Sequence, residues 1–154
     1  MKKFIPLIIG SFLVVGAVGC QDTAKTSTDA PNNAGETVAA PETDSAAQVQ
    51  NDATSEVRRE QLNSDIRARE QRNNATGGDA DRTEGDLQSE VRSKLEVNLP
   101  ASQLGVEAED GVVTVSGTVP TEEQLQKVEP LAKEIKGVTS VKVNVQVKPA
   151  KLNN

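Results

Sequence analysis

The chain of 154 residues contains no histidine, tryptophan or tyrosine, and its two aromatic residues are Phe4 and Phe12. The lack of histidine removes the commonest general base and the commonest metal ligand, which excludes much of enzyme chemistry. Because both phenylalanines lie close to the N-terminus, a folded core must be built from aliphatic side chains and will be small. We therefore expect a non-enzymatic protein with no cofactor and no metal site.

Basic residues are also in short supply, because 17 Lys and Arg stand against 23 Asp and Glu, which gives a net charge of -6 at pH 7. Non-specific binding to nucleic acid depends on Lys and Arg side chains that neutralise phosphates. The same acidity opposes adsorption to an anionic lipid surface by charge alone. We therefore expect no nucleic-acid partner, and any membrane attachment must come from something other than net charge.

The single long apolar run, from Phe4 to Val18, follows Lys2 and Lys3 and ends just before the only cysteine, Cys20. A basic start, a short apolar stretch and small residues at its end are the three parts of a secretory signal. At about 1.5 Å per residue the run is shorter than the roughly 30 Å core of a bilayer, so a permanent transmembrane helix is not expected. The sequence thus predicts a signal peptide over residues 1–19.

The residues Ala17-Val18-Gly19-Cys20 resemble a bacterial lipobox, in which the signal is cut before the cysteine and the cysteine is acylated. Ala17 stands where leucine is usual in that pattern. Ala17 and Gly19 also fit ordinary signal cleavage, which would release a secreted protein, and an uncleaved anchor is a third alternative. A lone thiol is unfavourable in an oxidising compartment, which favours acylation. We interpret the chain as a membrane-anchored lipoprotein of the bacterial envelope, facing the periplasm or the exterior.

Residues 20–51 begin with the lipid-attachment residue Cys20 and continue with mainly small and polar residues. Such a composition buries too little apolar surface to offset the entropy lost on ordering. We therefore interpret this segment as a disordered linker. Coil statistics for about thirty residues would hold the folded part on the order of 30 Å from the bilayer.

Residues 52–82 differ from the linker, because acidic and basic side chains are interleaved over Asp52–Asn74 and favour a helix. A glycine-containing breaker completes the segment. We expect a solvated single helix of marginal stability, with self-association or partner docking as the alternative. Its apolar residues are too few for a coiled coil: Val57, Leu62 and Ile66.

The folded part of the chain is predicted to be residues 83–148, with residues 149–154 as a short tail. A helix starts after Thr83, because a threonine hydroxyl can cap the first turn, and it stops before Pro100, which excludes helical geometry at the residue in front of it. One apolar stripe recurs at every fourth position of this helix: Leu87, Val91, Leu95 and Leu99.

Two alternating strands follow the first helix and are joined by Asp110-Gly111, a strong hairpin signal. A second helix begins after Thr121, which forms a capping box with Gln124. The alternation over Val141–Val147 predicts a third strand. We therefore predict an α+β fold, a small two-layer sandwich in the order helix, strand, strand, helix, strand. Its three-stranded sheet would lie under both helices.

Three glycines and one proline have expected structural roles in this unit. Gly111 belongs to the hairpin turn, Gly117 marks a bulge or a close approach of the following helix, and Gly137 caps the second helix. Pro130 lies inside the second helix, where it removes a hydrogen bond, so a kink or a break is expected there.

The region from about residue 83 to residue 148 resembles the BON domain, a module of bacterial envelope and osmotic-shock proteins. The resemblance rests on the sequences of Asp110–Val119, Thr121–Gln124 and Ile135–Val147. It implies a non-enzymatic module that docks on membrane phospholipid or on an envelope protein. BON domains often occur in tandem pairs, and this sequence contains a single one. The alternative is a structural or assembly protein that acts through weak self-association or other protein contacts.

Candidate contact residues are few. Lys133 and Lys136 end the second helix and Lys142 lies in the last strand, so the three lysines could converge near Gly137 and touch lipid head groups or a partner. Lysines at a helix C-terminus also complement the helix dipole, which is the alternative explanation.

An acidic group at the predicted hairpin tip, comprising Glu107, Glu109 and Asp110, lacks the spacing of a calcium loop. We interpret it as a solvated turn. Glu122 and Glu123 lie in the first turn of a helix, where negative charge is simply stabilising.

Overall fold

A computed structural model describes residues 23–40, 43–76 and 83–149 of the protein. The predicted signal peptide over residues 1–19, the predicted acylation site Cys20 and the glycine-containing breaker lie outside the described residues. Within the described ranges every helix is too short or too polar to cross a membrane.

These ranges form helices and strands that are numbered separately in chain order. The helices are α1 (Thr43–Thr54), α2 (Glu56–Thr76), α3 (Glu84–Asn98) and α4 (Glu122–Lys133). The strands are β1 (Ala24–Lys25), β2 (Gln103–Glu109), β3 (Val112–Val119) and β4 (Ser140–Val147).

The strands form one mixed sheet in the order β1-β2-β3-β4. β2 and β3 are antiparallel, and Asp110 and Gly111 between them have positive φ values of 50° and 77°, the backbone that a two-residue hairpin turn needs. β3 and β4 are parallel over their whole length, with α4 as the crossover. The predicted α+β class and the predicted order of elements after residue 83 are confirmed. The predicted three-stranded sheet gains a fourth, short strand, β1, which is antiparallel to β2.

Helices α3 and α4 cover one face of the sheet and enclose an aliphatic core. The predicted stripe of α3 is buried there, together with alternate residues of β2 and β3 and one side of α4. These side chains are the ones that the periodicity of the sequence points inward. The buried members are Leu87, Val91, Leu95, Leu99, Leu104, Val106, Ala108, Val113, Val115, Val119, Val128, Ala132 and Ile135.

Both predicted helix caps are confirmed. The hydroxyl of Thr83 accepts a hydrogen bond from the Asp86 N–H at 3.2 Å, and the hydroxyl of Thr121 accepts one from the Gln124 N–H at 3.3 Å. The side chain of Gln124 does not close the predicted capping box. Its Nε2 donates to the Pro100 carbonyl at 3.0 Å, which ties the start of α4 to the end of α3.

Two local expectations need correction. The register of β2 with β3 is continuous through Gly117, so there is no bulge, and the close neighbour is the β2 carbonyl of Gln103 rather than a helix. Helix α4 passes through Pro130 without a break and ends at Lys133. Pro130 is exposed, and the helix continues past it although proline has no N–H to donate to the Gln126 carbonyl.

The opposite face of the sheet is crossed by residues 23–38, which are called the strap below. The strap begins as β1 at the edge of β2, where the Thr26 N–H donates to the Leu104 carbonyl at 2.8 Å. It reaches β4 at its other end, where Asn144 Nδ2 donates to the Ala34 carbonyl at 3.4 Å and Lys148 Nζ donates to the Val38 carbonyl at 2.6 Å. The strap therefore spans the sheet from one edge strand to the other.

The interpretation of residues 20–51 as a disordered linker is thus wrong for the strap and for residues 43–51, which belong to helix α1. The polar composition of the strap wrongly suggested disorder, because the strap is held mainly by hydrogen bonds between its backbone and the sheet. Its apolar contribution is limited to small residues, with Ala30 and Pro31 buried.

The charged helix is also placed differently from the main expectation. It is α2, and it packs along α3 rather than standing alone in solvent. Leu62 is 1% exposed and Asn73 is 5% exposed, whereas Val57 remains 67% exposed. One buried leucine and a set of ion pairs therefore hold the helix, and the expected solvated helix becomes an outer layer over α3.

Candidate docking site

The α4–β4 loop packs against the β2–β3 turn. The Thr139 N–H donates to the Gly111 carbonyl at 2.8 Å, and its hydroxyl donates to the same oxygen at 3.0 Å. The turn over residues 109–112 and the loop over residues 134–139 together form one end of the folded part, called the hairpin end below. All three candidate lysines lie at or next to this end.

Two of these lysines belong to the helical side of the hairpin end. Lys133 Nζ lies 2.6 Å from Glu129 Oε1 one helical turn away, so part of its charge is already neutralised. Lys136 is exposed in the loop that follows α4. Gly137, with a φ of 91°, turns the chain toward β4 four residues beyond the α-helical end at Lys133. It is therefore not the helix cap that the sequence predicted, because the capping position is Glu134.

Lys142 lies on the opposite side of the sheet from α4. The residues on either side of Lys142 in β4 pair with Val113 and Val115, which belong to the core. Lys142 therefore lies on the other face of the sheet, in a cross-strand row with Thr114 and Glu107. It lines a shallow pocket with Glu109 and Asp110. The structure therefore brings the three lysines to one end of the fold but does not join them in a single patch.

The acidic residues of the hairpin end have different environments. Glu107 is half-buried, and its Oε1 accepts hydrogen bonds from the Thr23 hydroxyl and the Ala34 N–H, each at 3.0 Å. Glu109 and Asp110 are exposed. No cluster of three or more metal-ligating side chains occurs in the described parts of the chain. Glu107 thus acts as the attachment point of the strap on the sheet.

Charged groups that the sequence analysis did not single out connect α2 to α3. Asp86 Oδ1 lies 2.6 Å from Arg69 Nη1 and 3.7 Å from Arg72 Nη2. Burial raises the pKa of Asp86, but hydrogen bonds from the Thr83 hydroxyl and from Arg69, with the positive charge of both arginines, hold the pKa below its ordinary value. Asp86 is therefore an anionic link between the two helices.

One residue of β2, Gly105, could have predicted from the sequence that the strap covers this face of the sheet. Gly105 stands in the middle of this strand, on the face opposite the core, where a glycine often marks the close approach of another backbone. A Cβ at Gly105 would lie 2.8 Å from the Pro31 carbonyl oxygen and 2.8 Å from Thr23 Cγ2. That glycine was the available signal that a further segment covers the open face.

Residues 83–149 match the BON domain family. This part of the chain is a BON domain. Osmotically-inducible protein Y of Escherichia coli (strain K12) is 40% identical over 62 residues, which cover 39% of this chain and 31% of that protein. The chain therefore matches about a third of the length of this relative. The BON domain comprises α3, β2, β3, α4 and β4, while the strap, α1 and α2 precede it.

Proposed function

We propose that the protein is a non-enzymatic lipoprotein of the bacterial envelope whose single BON domain docks on membrane phospholipid or on an envelope protein. The observation that carries this proposal is a BON domain over residues 83–149 preceded by a lipobox-like signal that ends at Cys20. The similarity to an osmotically inducible protein supports a role in the envelope.

An acyl anchor on Cys20 would determine how strong the docking contacts must be. Two or more acyl chains give stable membrane attachment, so the domain needs no high intrinsic affinity. Tethering converts a weak contact into an intramolecular one at high effective concentration. The exposed lysines of the hairpin end, Lys136 and Lys142, are suited to such contacts, because each lysine near an anionic surface contributes about 1 kcal/mol.

The anchor is tested by the intact mass of the protein purified from its native membranes, beside a Cys20→Ala variant. A mass that corresponds to residues 21–154 plus an acylated Cys20, and that the variant loses, supports the lipoprotein. An unmodified protein in the soluble fraction would eliminate that part of the proposal.

The docking contact is tested on a soluble form, residues 20–154 with Cys20→Ser, in flotation with vesicles that contain phosphatidylglycerol. Weak binding that falls when either Lys136 or Lys142 is changed singly to Gln supports contact with phospholipid. Lys127→Gln is the matched control, because Lys127 is an exposed lysine already paired with Glu123 at 2.5 Å. An equal loss in the control would assign the effect to net charge alone, and no binding at all would favour a protein partner.

Self-association is the second candidate, because β4 ends the sheet and exposes an apolar side chain. Among the described residues β4 pairs on one side only, and Val143 within it is 36% exposed. An open strand edge is a ready template for a second chain. A sedimentation experiment that shows a concentration-dependent oligomer, lost in Val143→Lys, would support weak homo-oligomers. A monomer at all concentrations would contradict it.

A further inference from the structure

The strap begins almost at the proposed anchor. Thr23, its first residue, is separated from Cys20 by Gln21 and Asp22 alone. The Thr23 hydroxyl oxygen lies 3.0 Å from Glu107 Oε1 and 2.5 Å from the Asn32 carbonyl oxygen, so its single hydrogen is shared between two acceptors. The chain is therefore fixed to the BON domain from Thr23 onward, which leaves very little of residues 20–51 to act as a tether.

The strap is packed against the sheet as part of the fold. Pro31 is fully buried, and the absence of a side chain at Gly105 makes room for it and for Thr23. The hydroxyl of Thr26 donates to the Ser102 carbonyl at 3.2 Å and accepts from the Leu104 N–H at 2.9 Å. These contacts extend from Ser102, just before β2, to Gly105 within it, so the strap has a defined register on the sheet.

The register also fixes the direction in which the chain approaches the domain. β1 is antiparallel to β2, with Ala24 opposite Val106 and Lys25 opposite Gly105. Residues that precede Ala24 therefore enter from the side of β2 that ends in Glu109 and the hairpin turn. The other end of the sheet contains the start of α4 and the last residues of β3 and β4. Because β3 and β4 have 8 residues each, the two ends of the sheet are about 25 Å apart.

Covalent geometry limits the distance between the anchor and this end. Consecutive Cα atoms are about 3.8 Å apart, so three steps from Cys20 to Thr23 span at most about 11 Å. A coil of some thirty residues would span on the order of 30 Å. We propose, on the basis of the lipoprotein function proposed above, that the strap holds the hairpin end of the BON domain against the membrane that carries the anchor.

This arrangement narrows the choice of partner. Lys136 in the hairpin end and Lys142 next to it, together with Glu109 and Asp110, place exposed charges of both signs at the level of the lipid head groups. The domain meets phospholipid head groups of its own membrane through this surface. A partner that lies far from the bilayer is out of reach, because the strap consumes the length that a free linker would supply.

The orientation is tested by energy transfer from a single tryptophan, since the natural chain has none. Glu109→Trp marks the hairpin end, and Glu122→Trp at the start of α4 marks the far end; both positions are exposed. Residues 20–154 are coupled through the thiol of Cys20 to a maleimide lipid in vesicles that carry a dansyl acceptor on their head groups. We expect transfer from position 109 to be several-fold stronger than from position 122.

Variants that release the strap from the sheet test whether the strap causes this orientation. Gly105→Val places a side chain where Pro31 and Thr23 lie. Glu107→Ala adds no bulk and removes the acceptor of the hydrogen bonds from Thr23 and Ala34. Either variant is expected to bring the ratio of the two transfers close to one while circular dichroism stays unchanged. Equal transfer from both ends in the strapped protein would overturn the proposal, as would a ratio that neither variant alters.

Because Cys20 is coupled chemically to a lipid, the test of the orientation is independent of the mass measurement that tests the natural anchor. The orientation is measured on a lipid attached in the laboratory, so it does not depend on acylation in the cell. An unmodified natural protein would remove the proposed function while leaving the geometry of the strap measurable, and equal transfer would remove the orientation while leaving the lipoprotein intact.

Discussion

The guanidinium of Arg58 in α2 lies 2.7 Å from the carboxylate of Glu96 in α3. Glu96 is 5% exposed, and its second oxygen lies 2.6 Å from Arg92 of its own helix. An unpaired buried charge is costly, so each of the two arginines stabilises the nearly buried carboxylate of Glu96. The pair therefore joins α2, which precedes the BON domain, to the domain itself.

Arg58→Ala is expected to lower the free energy of unfolding by about 1–2 kcal/mol, because Glu96 keeps only one of its two partners. Arg59→Ala, one residue further along and exposed, should change it by less than about 0.5 kcal/mol. Urea unfolding of the soluble form, followed by circular dichroism, measures both. Equal effects of the two variants would show that the Arg58–Glu96 contact contributes nothing specific.

Leu62 and Val57 offer a second comparison within α2. Leu62→Ala should destabilise the protein by about 2–3 kcal/mol, because it empties the space of a side chain that is 1% exposed. Val57→Ala alters a side chain that is 67% exposed and should have an effect within about 0.5 kcal/mol. Hydrogen exchange of the α2 amides in the Leu62 variant shows whether the helix leaves α3 before the domain unfolds. If α2 were a solvated single helix, both substitutions would change the free energy of unfolding by a similarly small amount.

The sequence predicted the helices and strands that have a strong apolar periodicity. It did not predict the packing of segments that are held by polar contacts. The stripe of Leu87, Val91, Leu95 and Leu99 and the Asp110-Gly111 turn specify their local structure by themselves, and both are present. Helix α2 has one buried leucine and many charges, a pattern shared by helices that stand alone in water.

The strap is the larger omission, for a related reason. Its key bonds join residues far apart in the chain, such as Thr23 to Glu107 and Thr26 to Leu104. Small polar residues that pair with a distant sheet have the same composition as residues that pair with water. The three lysines were predicted to converge because they are close in sequence to Gly137. In β4, however, successive side chains alternate between the two faces of the sheet, and this alternation decides which face Lys142 occupies.

Acid should weaken the contact between α2 and α3 through Asp86. Its pKa is lowered in the folded protein from an ordinary value of 3.8, so its stabilising effect is fully present above about pH 4 and is lost as the pH falls through the folded pKa. Asp86→Asn should therefore reduce the slope of stability against pH below pH 4. Urea unfolding between pH 2 and pH 6 measures this slope, with the exposed Asp65→Asn as control. Identical slopes for the Asp86 variant and the natural protein would contradict the role of this carboxylate.

Two glycines of the BON domain should respond to alanine with opposite signs. Gly117 has a φ of 127°, and a Cβ there would overlap the carbonyl oxygen of Gln103 in the paired strand. Both the backbone strain and the overlap oppose Gly117→Ala, so we expect a loss of about 3 kcal/mol or more, or a failure to fold. Gly85 lies in the first turn of α3 with open space around the position of a Cβ. Gly85→Ala reduces the entropy of the unfolded chain and should stabilise the protein by about 0.5 kcal/mol.

The comparison between these variants is informative because the chemical change is the same in both. Urea midpoints that move in opposite directions would show that Gly117 is required by the β2–β3 pairing and not by a general need for flexibility. If Gly117→Ala left the midpoint unchanged, β2 and β3 would have to separate near Gln103 at little cost. That outcome would contradict the continuous register on which the position of the strap depends, since Gln103 is followed directly by the Leu104–Gly105 segment that holds Thr26 and Pro31.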